Sequence, residues 1–228
     1  MQLLPALDVL DGASVRLERG DYRKILFSQP LAEYASQLIS LTQPSLLHVV
    51  DLGGARDGYF DLSIIDTLTS LAPDLPLQVS GGLRSVEDAR RVLDRGACRV
   101  IMGTAVFASD SAASELVHAL GESLVVALDV KDGKIATRGW LDSSGLSVMD
   151  ALQHCIESGV ARIHATAIER DGTMSGPDFA LYETLCSSGL KVVAAGGVRD
   201  DSDLRRLSDM GCEAAVMGTA LAQRLGVL

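Results

Sequence analysis

Four aspartates stand where apolar runs stop. Asp8 follows Leu3–Leu7, Asp51 follows Leu46–Val50, Asp129 follows Leu124–Leu128, and Asp171 lies a few residues beyond Arg162–Ala165. A carboxyl with a raised pKa can give up a proton and an ionised one can take it. Two or three of them converging on one ligand would therefore supply acid–base chemistry. An acid at such a place can also simply cap the next helix. Asp8 and Asp129 are marked out by matching contexts, Pro5-Ala-Leu-Asp8 against Val126-Ala-Leu-Asp129. Asp51 has no such acid counterpart, and both readings stay open for it.

Glycines supply a second kind of chemistry. Gly81-Gly82 and Gly196-Gly197 follow two further apolar runs, and Gly103-Thr104 and Gly218-Thr219 follow two more. Glycine lets a backbone approach a ligand closely, and a short helix after it can aim free N–H groups at an anion. One Gly-Gly is usually a turn. A doubled Gly-Gly and Gly-Thr set predicts two phosphate sites facing each other, hence a long ligand with a phosphate at each end. Trp140, the only tryptophan, sits in the polar stretch Thr137-Arg-Gly-Trp-Leu-Asp-Ser-Ser-Gly145. It reads either as an anchor on the rim or as a lid residue that stacks on a planar group. Arg138 could bind a carboxylate or phosphate. His48 and His164 lie inside apolar runs and read first as structural histidines.

The elements that must position these residues follow a regular order. Apolar runs at Leu3–Leu7, Leu46–Val50, Leu77–Val79, Arg99–Met102, Leu124–Leu128, Arg162–Ala165, Lys191–Ala194 and Ala214–Met217 alternate with amphipathic stretches such as Leu31–Leu41, Ser85–Arg95 and Asp200–Met210. Alternation of this kind predicts a parallel α/β sheet. The segment from Ser80-Gly-Gly to Met102-Gly-Thr-Ala105 recurs as Ala195-Gly-Gly to Met217-Gly-Thr-Ala220, at a constant offset: 196 − 81 = 115 and 218 − 103 = 115. Matched halves predict a (β/α)8 barrel of two repeated half-barrels, in one domain over residues 1–228. In such a barrel the site lies at the C-terminal ends of the strands. Asp8 and Asp129 then face each other across the mouth.

Composition narrows the class. The net charge of −10 argues against a nucleic-acid partner, because binding a phosphate backbone needs a basic face. The four cysteines show no metal-ligand spacing and read as reduced thiols of a cytoplasmic protein. No apolar run reaches the ~18 residues of a membrane span. The start, MQLLPALDVLDG, lacks a basic leader. No metal, cofactor, membrane or nucleic-acid partner is expected, only a small-molecule substrate, and a monomer.

Leu4-Pro-Ala-Leu-Asp8, Asp11-Gly12 with Val15-Arg-Leu17, Val50-Asp-Leu52, Ser80-Gly-Gly82, Thr166 with Arg170-Asp-Gly-Thr173, Gly196-Gly197 and Gly218 span nearly the whole chain. Together they resemble the phosphoribosylformimino-5-aminoimidazole carboxamide ribotide isomerases of histidine biosynthesis. The related cyclase normally has Cys-Leu-Asp at strand one and a lysine where this chain has Arg16. Ser80 and Arg138-Gly-Trp140 resemble the actinobacterial phosphoribosyl isomerase A type, which also isomerises phosphoribosylanthranilate in tryptophan biosynthesis.

The resemblance implies an Amadori rearrangement of a phosphoribosyl substrate, aminoaldose to aminoketose. An acid protonates the ring oxygen to open the furanose, and a base removes the proton at C2. It assigns the base to Asp8 and the acid to Asp171, with Asp129 as competing candidate or partner. Arg16, Ser80, Gly81, Gly82, Gly103, Thr104, Arg138, Trp140, Thr166, Gly196, Gly197, Gly218 and Thr219 would hold the substrate.

Overall fold

The computed structural model describes residues 1–228 apart from Arg19, Arg138, Leu141 and the side chain of Ser143. Strand β1 (Gln2–Leu10) is followed by a hairpin of β2 (Ala13–Glu18) and β3 (Asp21–Pro30), then α1 (Leu31–Thr42). β4 (Leu47–Asp51) leads to α2 (Leu52–Asp57) and α3 (Ser63–Leu71), and β5 (Leu77–Ser80) to α4 (Val86–Asp94). β6 (Arg99–Met102) leads through a 3-10 turn at Thr104–Phe107 to α5 (Ala112–Leu120). β7 (Leu124–Lys131) carries a second hairpin, β8 (Lys134–Thr137) and β9 (Asp142–Ser147), before α6 (Val148–Glu157). β10 (Arg162–Ala167), α7 (Phe179–Cys186), β11 (Lys191–Ala195), α8 (Asp201–Asp209), β12 (Ala214–Met217) and α9 (Thr219–Arg224) complete the chain.

Eight strands, β1, β4, β5, β6, β7, β10, β11 and β12, run parallel in that order. The β10–β7 and β12–β1 ladders close them into a barrel. All eight apolar runs of the sequence are these strands, so the (β/α)8 expectation holds. Short helices after β6 and β12 also stand where the repeat places them.

Two strands extend past the expected ends. Asp8 and Asp129 are inside β1 and β7, not beyond them, because each strand continues into an antiparallel hairpin. The turns are Asp11-Gly12 and Asp132-Gly133, with φ of 50° and 80° in one and 50° and 70° in the other. Both central residues in the left-handed region is the backbone of a hairpin turn whose twist matches its strands, and Asp-Gly is its preferred sequence.

Alternation along each strand sorts the side chains. Leu4, Leu46, Val193 and Ala214 pack inside the barrel, while a much larger apolar layer fills the space between strands and helices. Across the barrel interior the imidazoles of His48 and His164 stack, with centroids 4.8 Å apart. His48 meets the buried Gln78 amide at 3.3 Å. Burial holds both histidines neutral, His164 down to about 4, and the buried His164 Nδ1 has no hydrogen-bond partner among the described residues. Asp51 is settled as a cap: it accepts the Gly54 N–H at 2.7 Å and the Asp61 N–H at 2.8 Å. No helix among the described residues is long and apolar enough to cross a membrane.

Candidate active site

The mouth gathers three carboxyls. Asp8 rises from β1 on the same face as Leu4 and Ala6, and its Oδ2 accepts from Arg16 Nη1 at 2.7 Å. Arg16 comes from β2, held beside β1 by the register Asp8↔Val15. Both side chains are nearly buried, at 14% and 10% exposure, so this ion pair is poorly screened. Burial raises the Asp8 pKa, Arg16 pulls it back, and Asp171 pushes it up again. Burial works against the Arg16 charge, yet Asp8 and Asp171 outweigh it and the guanidinium stays firmly protonated.

Asp129 is set differently. It comes from β7 and accepts side-chain hydrogen bonds from Thr166 and from the indole of Trp140. Burial raises its pKa most, these two bonds oppose the rise, and the charge of Asp171 adds to it. Thr166 is buried at the end of β10, in register with Asp129. Asp171, in the loop after β10, is also raised by burial, against the pull of Arg16 and the Gly172 N–H. Its charge acts on both other acids. The cation Arg16 opposes the rise at Asp8 and at Asp171.

Trp140 is half-buried at the tip of the second hairpin, with φ 71°, a left-handed conformation uncommon for a bulky residue. Its ring packs on Gly20 of the first hairpin, where an added Cβ would come within 3.1 Å of it. Trp140 thus bridges the two hairpins and one of the acids, a contact the sequence did not reveal. Arg138 lies outside the described residues.

The glycine pairs have a reason of their own. Gly81 and Gly196 have φ of 109° and 96°, and a Cβ on either would run into a backbone carbonyl, Asp51 for the first and Ala167 for the second. Gly82 and Gly197 press likewise on the carbonyls of Gly54 and Gly176. Each pair therefore buttresses the preceding loop, a role beside the turn and the ligand approach that the sequence suggests. Gly103 and Gly218 precede the two short helices, with Thr104 exposed and Thr219 half-buried at their first positions. The Arg16 guanidinium lies hard against Gly218, so the cation reaches from Asp8 to the loop after β12. Ser80 ends β5, half-buried at the rim.

A parallel barrel with convergent carboxyls, a buried arginine and repeated glycine loops at its C-terminal mouth is the arrangement of an acid–base barrel enzyme. The chain belongs to the family described as "Histidine biosynthesis protein", which it matches over residues 2–225. It is 38% identical, over 97% of this chain and 94% of the relative, to the 1-(5-phosphoribosyl)-5-((5-phosphoribosylamino)methylideneamino)imidazole-4-carboxamide isomerase of Dehalococcoides mccartyi (strain ATCC BAA-2266 / KCTC 15142 / 195). The isomerases so named from Roseiflexus castenholzii and Parasynechococcus marenigrum are 36% and 38% identical, each over 97% of this chain and over 94% and 88% of their own lengths.

Proposed function

We infer that the protein is the aldose–ketose isomerase of histidine biosynthesis, acting on the substrate after which its relatives are named. The observation that carries this reading is the Arg16–Asp8 ion pair at the mouth, with the buried carboxyls of Asp171 and Asp129 beside it. An Amadori rearrangement needs a carboxylate and a carboxylic acid together, and Asp8 and Asp171, which share the single arginine Arg16, supply both forms. Asp8, directly bonded to Arg16, is the base that takes the C2 proton. Asp171 is the acid that protonates the ring oxygen. Asp129 is the weaker candidate for that role, because the donors Thr166 and Trp140 favour its ionised form.

The substrate phosphates are assigned to the loops at Gly82–Gly103 and Gly197–Gly218, where N–H groups precede short helices. Ser80, Gly81, Thr104, Gly196 and Thr219 border the same loops. Trp140, at the tip of the second hairpin, and Arg138 are assigned to the middle of the substrate. The finer reading, a phosphoribosyl isomerase A type with a second activity on phosphoribosylanthranilate, rests on Ser80 and the Arg138-Gly-Trp140 segment. Turnover of both substrates by the purified protein tests both levels. Isomerisation of the imidazole substrate is expected, and its absence refutes the assignment. Absence of the anthranilate reaction alone removes only the second activity.

A further inference from the structure

Two of the four cysteines meet. The Sγ atoms of Cys186 and Cys212, 26 residues apart in sequence, are 3.6 Å apart. Cys186 is the last residue of α7 and is half-exposed, while Cys212 is buried just ahead of β12. Both lie at the N-terminal end of the strands, away from the mouth. The first half fills the matching places otherwise: 186 − 115 = 71 and 212 − 115 = 97, which are Leu71 and Ala97. The fold itself therefore has no need of sulfur at this junction.

We propose that Cys186 and Cys212 are a redox modification site, closing to an intramolecular disulfide when a small-molecule disulfide oxidises them. The accessible Cys186 thiolate attacks one sulfur of the reagent RSSR and expels RS⁻. Cys212 then attacks the Cys186 sulfur of the mixed disulfide and expels the second thiolate. One S–S bond forms in the protein, RSSR is reduced to two RSH, and the two protein thiol protons end on them. Closing from contact to bond length requires about 1.5 Å of sulfur movement, which side-chain rotation can supply. Burial holds both thiols above their ordinary range, so the reaction quickens as pH rises. The product staples the end of α7 to the root of β12 and leaves the acids of the mouth untouched.

The test uses the full chain treated with excess oxidised glutathione at mildly alkaline pH, followed by intact mass, alkylation mapping and melting. A mass lower by two hydrogens is expected, with Cys186 and Cys212 alone protected from alkylation and a dithiothreitol-reversible peptide joining them. The melting temperature should rise by roughly 5–10 °C, since the bond shortens the free loop of the unfolded chain. Cys212→Ala should stop at a glutathione adduct on Cys186. A wild-type chain that itself stops at that adduct, keeps all thiols alkylatable, or melts lower once oxidised overturns the proposal; none of these readings depends on a variant folding.

Discussion

The two half-barrels share a backbone plan and divide the chemistry. Each begins with a strand that carries Ala-Leu-Asp near its end, runs on into an Asp-Gly hairpin, and closes with Gly-Gly and Gly-Thr loops. In the first half the hairpin returns an arginine, Arg16, to its own aspartate. In the second half the hairpin returns a tryptophan, Trp140, to its own aspartate. One acid is thus held by a charge and the other by neutral donors. The loops after the second strand of each half differ too: Asp51 is consumed as a helix cap, while Asp171 remains free to act on both of the others. Duplication supplies two equivalent carboxyls, and the residues opposite them decide what each can do.

The largest effect should come from the charged half. Asp8→Asn keeps the size and polarity of the side chain but cannot accept the C2 proton. Turnover should fall by ~10²–10⁴-fold, with substrate binding largely kept. Near-normal kcat in this variant would move the base to the second half and dissolve the division.

The glycine pairs test how alike the halves are as scaffolds. Gly81→Ala and Gly196→Ala each drive a methyl into a neighbouring carbonyl at a φ that L side chains rarely adopt. Each should cost on the order of 2–4 kcal/mol, visible as a lower melting temperature. The first should be worse, because the contact with Asp51 is the tighter. A variant that melts like the parent would show that its loop can yield, and that the pair serves a ligand more than the fold.

Much of this was legible in the chain. All eight barrel strands and the repeat followed from apolar runs and a constant offset, because buried parallel strands leave a continuous signal. The hairpins were missed although their turns were in plain sight: 129 − 8 = 121 and 132 − 11 = 121, so Asp11-Gly12 and Asp132-Gly133 stand three residues after matched aspartates. Read as hairpin turns, they would have placed Arg16 beside Asp8. The mostly exposed β3 shows why the signal is weak, since a strand with little burial shows no clear alternation. The Trp140–Asp129 bond and the Cys186–Cys212 contact could not be read at all. Each depends on which side chains two loops or helix ends bring within reach, and sequence spacing does not encode that.

Trp140 can be divided into its ring and its N–H. Trp140→Phe keeps a ring near Gly20 but removes the bond to Asp129, whereas Trp140→Ala removes both. The alanine variant should lose ~5–150-fold in kcat/KM, the worth of an aromatic contact of about 1–3 kcal/mol. The phenylalanine variant should lose less, and the Asp129 carboxyl should titrate higher in it, because it loses a bond that favours its ionised form; a matching rise in the basic limb of the pH profile would make Asp129 the acid. If both variants only lower the melting temperature and leave kinetics intact, Trp140 is a rim anchor.

The smallest effect is the most direct comparison of the two acids. Asp129 has its pKa raised above 3.8, chiefly by burial, so the folded state prefers it protonated. A carboxyl raised on folding contributes stability that is fully present below its unfolded pKa and lost as pH rises through the folded value. Asp129→Asn carries a permanently neutral group of the same shape and escapes that loss. Its melting temperature should therefore match the parent near pH 4 and exceed it increasingly toward neutrality. Asp8→Asn should gain less over the same window. There the parent already recovers part of the burial cost through Arg16, and the variant leaves that buried guanidinium with Asp171 as its remaining anion. Melting curves of the three proteins at several pH values read this directly. Equal gains would mean that the arginine does not distinguish the halves, and a lower melting temperature for Asp129→Asn at neutral pH would mean that the Thr166 and Trp140 bonds outweigh burial.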